Sequence, residues 1–258
     1  MHLNFHKYQG TGNDFVIIDN SADNFPKEDN SLVARLCNRY FGIGADGLML
    51  LEKSASYDFK MVYYNSDGAQ STMCGNGGRC LAAFAHAVGA VGKKGVFEAI
   101  DGPHAFEIVN DSVILSMKNV KEVQDKGKYF FIDTGSPHHV QFVSDTEKIN
   151  VNEQGAKLRY GMYGVQGANI NFVSKDSKGV YHIRTYERGV EGETLSCGTG
   201  VTAAAIAIHE QNSKVQSPVS LHTKGGMLKV HSNKNPQGYS EIFLEGAAAF
   251  VYKGEIRV

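Results

Sequence analysis

Two cysteines carry the chemistry this sequence most plainly offers. Cys74 opens the run Cys-Gly-Asn-Gly-Gly-Arg-Cys-Leu-Ala-Ala, and Cys197 opens Cys-Gly-Thr-Gly-Val-Thr-Ala-Ala-Ala. Each run passes from a glycine-rich turn into an alanine-rich helical stretch. The first turn of a helix presents unpaired N–H groups and the positive end of the macrodipole. A thiol placed there is stabilised as the thiolate, so its pKa falls toward neutrality. The glycines let a ligand approach the main chain, whose N–H groups can hold a carboxylate. One such motif is an activated thiol beside an anion nest. Two of them suit the inversion of an amino-acid α-carbon, in which a thiolate takes the proton from one face and a thiol delivers one to the other. The helix N-termini would stabilise the charge that builds on the carboxylate as the carbanion forms. Neither a metal nor an organic cofactor is needed.

Other readings of these residues fit less well. Cys37 and Cys80 read as small apolar core residues. There is no C-x-x-C pair, and no Cys or His ligands stand at zinc-site spacing. Cys74 to Arg79 suggests a phosphatase loop, but it has four intervening residues and its counterpart at Cys197 lacks the arginine. The glycine-rich turn at 42–47, GIGADG, does not follow a strand and open a helix as a dinucleotide site requires.

The elements that must position these thiols repeat. Cys197 lies 123 residues after Cys74, and the same offset aligns Thr11-Gly12 with Thr134-Gly135 and Gly44-Ala45-Asp46 with Gly167-Ala168-Asn169. It also aligns Tyr63 with Tyr186, Val96 with Val219 and Gly102 with Gly225. The chain therefore reads as two diverged copies of one fold, residues 1–120 and 121–258, meeting in the polar stretch 119–128. Each copy is expected to hold an early strand (15–19; 140–143), a helical stretch clearest at 31–40, and a strand (59–64; 182–187). The cysteine turn and its helix (81–88; 201–209) follow, and then several closing strands. In the 31–40 helix Leu32, Val33, Leu36 and Tyr40 supply the apolar face. Helices this small and apolar suit burial against strands on several sides. The fold class expected is α+β, two pseudo-symmetric domains, each a mostly antiparallel sheet wrapped around a central helix. The last strand, 250–258, has the option of crossing back to the first domain.

Composition narrows the partners. The chain has 258 residues, 42% hydrophobic and 21% charged, with a formal net charge of −1. No basic face or polybasic run suggests nucleic acid or membrane, and no apolar stretch reaches the length of a membrane span. Four cysteines in a chain of this size are no disulfide framework. A cytoplasmic enzyme with reduced thiols and a small-molecule substrate is the expectation, with a homodimer left open.

The stretches TGNDF (11–15), NSDGAQSTMCGNGGR (65–79), GSPHH (135–139), GAN (167–169) and YERGVEGETLSCGTG (186–200) resemble the signature set of the diaminopimelate epimerase family, in the family's order and over nearly the whole chain. The resemblance implies interconversion of LL- and meso-diaminopimelate, without cofactor, in lysine and peptidoglycan-precursor synthesis. It implies Cys74 and Cys197 as the acid–base pair. Gly75, Asn76, Gly198 and Thr199 would hold the carboxylate at the reacting centre. Asn13, Asn65, Asn169 and Arg188 match substrate-binding positions, with Arg188 the bidentate partner of the distal carboxylate. Glu187 and His138 match polar positions beside the thiols, where they would orient the substrate ammonium and tune the cysteines. The alternatives are a surface ion pair for Glu187 and Arg188 and a structural role for His138; His139 is read as structural.

Three departures stand out. Ser136 replaces a common Asn, Gly47 stands where some members have Gln, and the loop 187–194 is one residue longer than usual. Competing functions are a proline or hydroxyproline racemase, an isomerase of the same fold without catalytic cysteines, a non-catalytic amino-acid binder, and a pyridoxal-dependent racemase. The first motif reads Cys-Gly-Asn rather than the Cys-Gly-His of proline-type enzymes.

Overall fold

Strands dominate because apolar residues recur at alternate positions between short polar turns. The computed structural model describes residues 2–258. They form two units: residues up to Leu115 together with Gly246–Val258, and Ser116–Glu245.

The first unit contains β1 (His2–Gly10), β2 (Asn13–Asp19), α1 (Asn30–Cys37), β3 (Gly47–Glu52), β4 (Phe59–Asn65), α2 (Gly75–Ala87), β5 (Lys94–Ala99), β6 (Gly102–Val109) and β7 (Ser112–Ser116). From β1 to β6 successive strands pair antiparallel, parallel, antiparallel, parallel and antiparallel, and β6 pairs antiparallel with β7. Helix α2 packs against β1, β2, β3 and β6, burying Leu81, Ala82, Phe84 and Ala85. Helix α1 covers the other sheet face, where Leu32, Val33 and Leu36 meet Val16, Ile18, Leu48, Leu50 and Val62. With both faces covered, β2 and β3 carry the unbroken apolar runs FVII and LMLL rather than an alternation.

Helix α1 is shorter than its expected span of 31–40. Asn38 leaves the helical conformation, and its side-chain oxygen accepts from the N–H groups of Tyr40 and Phe41 at 2.9 Å each. Tyr40, expected on the buried face, is instead 90% exposed. A side-chain turn at Asn38 outcompetes the helical pattern.

The second unit contains β8 (Val123–Asp125), β9 (Phe130–Asp133), β10 (Pro137–Phe142), α3 (Val151–Tyr163), β11 (Asn169–Lys175), β12 (Tyr181–Glu187), β13 (Gly192–Thr194), α4 (Gly198–Gln211), β14 (Val219–Thr223), β15 (Gly226–Asn235) and β16 (Gly238–Ala247). The pairing sequence of the first unit recurs through β9, β10, β11, β12, β14 and β15, with β13 added as a hairpin partner of β12. Helix α4 takes the place of α2, packed on β9, β10, β11, β12, β14 and β15. Helix α3 takes that of α1, with Val151 against Ile170, Phe172 and Tyr186. The polar stretch 119–128 lies in this unit and carries β8, which pairs with β9. The last strand, β17 (Ala249–Arg257), belongs to the first unit and runs antiparallel along β1.

Each unit is thus a mostly antiparallel sheet around one apolar helix, the α+β plan expected. Among the described residues no helix is long and apolar enough to cross a membrane.

Candidate active site

Cys74 is the N-cap of α2, with extended backbone, and its thiol does not cap the helix. Its carbonyl takes the first intrahelical bond, from Gly78 N at 2.7 Å. Gly75 and Asn76 occupy the buried first turn. Asn13, opening β2, fixes this corner. Its Oδ1 accepts from Cys74 Sγ at 3.6 Å and Asn76 Nδ2 at 3.3 Å, while its own Nδ2 donates to Asp46 Oδ2 at 2.7 Å. Behind it Arg39 forks onto Asp14 at 2.7 and 3.0 Å and reaches Asp46 at 2.8 Å, and Lys7 pairs with Asp14 at 2.7 Å. Burial alone would raise the Asp14 pKa; its bonds to Arg39 and Lys7 outweigh that and hold it at about 2.

Asn65, at the end of β4, accepts at its carbonyl from Gly68 N at 3.0 Å and donates its N–H to Ala69 O at 2.9 Å. It pairs across the ladder with Gly47. A Cβ on Gly47 would stand 2.6 Å from Tyr63 Cε2 and 2.7 Å from Tyr64 O, so this backbone leaves no room for a side chain such as glutamine at this position.

Arg79, read from sequence only as a failed phosphatase resemblance, is the largest wholly buried side chain of the first unit. Its guanidinium donates to Gly75 O at 3.3 Å, Asn76 Oδ1 at 3.0 Å and Thr11 Oγ1 at 3.5 Å, and its Nε has no partner among the described residues. Burial pushes its pKa below the ordinary arginine value.

The second unit repeats the arrangement with different side chains. Cys197 is the N-cap of α4, 7% exposed, with Sγ 3.5 Å from Thr199 Oγ1. Thr134 Oγ1 donates to Thr199 O at 3.0 Å. Gly200 lets α4 close on Asn171, since a Cβ there would fall 2.4 Å from Asn171 Oδ1. Asn171 itself was not anticipated. It accepts from Thr185 Oγ1 at 2.9 Å and donates to His139 O at 2.9 Å and His138 Nδ1 at 3.2 Å. Asn169 and Asn171 alternate along β11, and that spacing was the one signal for it.

His138, on β10, is wholly buried. Accepting at Nδ1 leaves its ring proton on Nε2, which has no partner among the described residues. Burial, then the Arg188 charge, pushes its pKa down to about 3, so the ring is neutral. His138 reaches the Cys197 turn through Asn171. His139 stacks on Tyr129 at 4.2 Å and bonds Tyr163 Oη at 2.8 Å, and burial lowers it to about 4.

Both imidazoles take up protons on unfolding once the pH falls below their ordinary value of 6.5. Stability is therefore full above about pH 6.5 and is lost as pH falls toward 4, by about 1.4 kcal/mol per pH unit for each ring. His6 and His209, also lowered by burial, act in the same direction. Urea midpoints at pH 7.5 and 5.0 should show the fall, and His139→Phe should flatten it by about one proton. An unchanged slope in that variant would contradict the assignment.

Asn169 ties the rest together. Its Nδ2 donates to Ser136 Oγ at 2.9 Å, and its Oδ1 accepts the Arg188 N–H at 2.9 Å. The Arg188 guanidinium donates to Gln166 O at 3.0 Å and Ser136 Oγ at 3.4 Å. It is exposed and forms no ion pair among the described residues, so the surface pair with Glu187 is not made. Glu187 instead accepts from Thr194 Oγ1 at 2.8 Å. The longer loop is set by Glu191, at φ 56°, whose carboxylate takes bonds from Arg159, Tyr160 and Tyr186 at 3.1–3.3 Å. Cys37 and Cys80 lie in the core, where burial pushes both thiols up to about 12.

Solved structures share this two-unit plan. The chain matches a phenazine biosynthesis protein of the PhzF family from Bacillus anthracis over 100% of both chains, with a TM-score of 0.82 at 14% identity. It matches a hydroxyproline epimerase from Agrobacterium vitis over 99% of this chain and 92% of that one, with a TM-score of 0.70 at 14% identity. The protein is thus of the fold class these share, here with a cysteine at the N-terminus of each central helix. A family model described as diaminopimelate epimerase matches residues 5–123 and 130–251, one stretch for each repeat. The diaminopimelate epimerase of Flavobacterium psychrophilum is 53% identical over 98% of this chain and 100% of its own length. That of Chlorobaculum tepidum is 41% identical over 96% and 98%. The chain belongs to the diaminopimelate epimerase family.

Proposed function

We propose that this protein interconverts LL-2,6-diaminopimelate and meso-diaminopimelate by proton transfer at one α-carbon, with Cys74 and Cys197 as the two acid–base groups. The observation that carries the reading is the pair of cysteines, each N-capping the central helix of its unit, in a chain matched end to end by epimerases of that name. The thiolate takes the α-proton, the C–H electron pair spreads onto the carboxylate, and the opposite thiol returns a proton to the other face. The two sulfurs exchange roles with each turnover, so atoms and charge balance without a further reactant.

Gly75 and Asn76 on one helix and Gly198 and Thr199 on the other offer the reacting carboxylate their N–H groups, aided by the helix dipoles. Asn13, Asn65 and Asn169 bind the polar groups of the distal centre, and Arg188 binds its carboxylate. Glu187 orients an ammonium group. His138, neutral and hydrogen-bonded through Asn171, holds the Cys197 turn rather than exchanging protons itself. The reading places the enzyme in lysine and peptidoglycan-precursor synthesis in the cytoplasm, with a small-molecule substrate and a homodimer as its assembly. A proline-type racemase is disfavoured, since such a site has no distal amino-acid group to hold and no use for the Arg188 and Asn169 set.

Proton NMR of the reduced protein with LL-diaminopimelate in D₂O tests the assignment. Loss of the α-proton signal with the meso isomer appearing, and no cofactor added, is the expected result. Persistence of that proton with folded, reduced protein would overturn the substrate.

A further inference from the structure

We infer that Asp46 is a positioning residue: by fixing the Asn13 amide it keeps Cys74 a thiol at rest and leaves Cys197 to rest as the thiolate. This deepens the two-thiol reading above and rests on it. Both sulfurs sit at helix N-termini, so the dipole favours ionisation of each and does not tell them apart. What differs is the hydrogen-bonding group set against each sulfur.

Beside Cys74 that group is an acceptor whose direction is fixed from two sides. The Cys74 thiol donates to Asn13 Oδ1 at 3.6 Å. Asn13 turns its Nδ2 to Asp46 Oδ2 at 2.7 Å, and a carboxylate, here ion-paired with Arg39 at 2.8 Å, can only accept. Asp46 is pinned in turn by Asp14, whose N–H donates to Oδ2 at 3.3 Å and whose carbonyl accepts the Asp46 N–H at 3.0 Å. On the other side Arg79, which can only donate, holds Asn76 Oδ1 at 3.0 Å. Asn76 therefore offers its Nδ2 to Asn13 Oδ1, 3.3 Å away. Turning the Asn13 amide over would set oxygen against oxygen at Asp46 and N–H against N–H at Asn76. An ionised Cys74 would face the lone pairs of Oδ1, where the S–H finds a partner. A hydrogen bond made by the neutral form disfavours the charged one, so the proton stays on Cys74.

The second repeat lacks this device. The offset that aligns the cysteines puts Ser136 at the place of Asn13, Asn169 at that of Asp46 and Thr199 at that of Asn76. Asn169 is an amide and donates to Ser136 Oγ at 2.9 Å, so the polarity of that link is reversed. Cys197 Sγ lies 3.5 Å from Thr199 Oγ1, a hydroxyl that can turn to donate to a thiolate.

The charges around Cys74 do not undo the arrangement. Lys7, Asp14, Arg39 and Asp46 form a closed set of two cations and two anions behind Asn13. Arg79 favours the Cys74 thiolate through space, while its bond to Asn76 acts together with Asp46. Cys80, walled into the core, remains a thiol. On the strands against α2, His6 and Tyr8 lie along Phe84, His104 stacks on Phe97, and Lys253 of β17 acts on His6.

The test is peptide-resolved alkylation of the reduced, intact enzyme by iodoacetamide across pH 5 to 9.5, with α-proton exchange from LL-diaminopimelate in D₂O followed on the same samples. The midpoint in pH, rather than the rate, is compared, because Cys197 is the more buried sulfur. Cys197 should react with a midpoint at least about one pH unit below that of Cys74. Asp46→Asn frees the Asn13 amide to turn and donate to sulfur, and should lower the Cys74 midpoint by about one unit while leaving that of Cys197 in place. In an Asn13→Ala background the same substitution should add little, since its route to the thiol is gone. Asn13→Ala alone, which keeps the Asp46–Arg39 pair and should also lower the Cys74 midpoint, serves if Asp46→Asn does not fold. A native Cys74 midpoint at or below that of Cys197, a midpoint unmoved by these variants, or an equal Asp46→Asn shift with and without Asn13 would overturn the inference and leave the two-thiol reading standing. Exchange that survives full alkylation of both sulfurs would sink that reading, and this inference with it.

Discussion

Replacing either Cys74 or Cys197 by alanine should lower the epimerisation rate by about a thousandfold or more, within the range that a placed acid or base contributes. The reason is stereochemical as much as energetic. Inversion needs a proton removed from one face of the α-carbon and one supplied to the other, and a single sulfur reaches one face. The alanine variants should nevertheless remain folded, because neither thiol caps its helix and the capping carbonyls belong to the main chain. Any α-proton exchange that survives in D₂O should keep configuration, and each variant should exchange one isomer only, the two variants choosing opposite isomers. Chiral chromatography beside the NMR signal separates exchange from inversion. A single variant that still inverts the centre at near the native rate would refute the two-base scheme. Parallel loss of helix signal by circular dichroism would mean the substitution acted on the fold instead.

The helix N-termini are legible in the sequence because Cys-Gly-X-Gly has few uses other than a tight approach to main-chain N–H groups, and because it occurs twice in one register. The strand order follows from the same register once one copy is read, and the observed pairings repeat accordingly. Elements whose buried face is not apolar are hidden. Helix α3 buries Val151, Gly155 and Arg159, a stripe at helical spacing that holds one ordinary core residue. Gly155 is there because Tyr186 leaves no room, its Cβ lying 2.4 Å from where a side chain would start. Arg159 is there to hold Glu191 and the carbonyl of Gly164. Strand β1 is obscured by Lys7, buried in the middle of the strand against Asp14.

The site divides in the same way. The residues proposed to touch the substrate are marked by their motifs. Those that hold them, Asn171, Thr185 and Ser136, are ordinary polar residues whose role depends on which neighbours the sheet brings alongside. Ser136 shows the limit most clearly. As a shorter replacement for asparagine it suggests a lost contact. In the folded chain its hydroxyl accepts from both Asn169 and Arg188, so it supports these two side chains from behind.

That arrangement leads to the second large effect, at Arg188. Its main-chain N–H is fixed by Asn169 and its guanidinium leans on Gln166 and Ser136, leaving the cation exposed with no carboxylate of this chain against it among the described residues. A planar fork held in this way is suited to a bidentate carboxylate, and truncating one side of such a pair costs about 2–5 kcal/mol. Arg188→Gln should therefore lower kcat/KM for LL-diaminopimelate by about 10²-fold or more, since each 1.4 kcal/mol is tenfold. The distal centre does not react, so grip that is equal in ground and transition states appears as a raised KM with kcat kept. A shared fall in kcat would mean that Arg188 also sets the angle at which the reacting carbon meets the thiols. Arg188→Lys should recover only part of the loss, because an ammonium keeps the charge and loses the fork. Ser136→Ala should act in the same direction but more weakly, having removed a prop rather than the cation. Unchanged kcat and KM in Arg188→Gln would show that the distal carboxylate is held elsewhere, while leaving the chemistry at the two sulfurs untouched.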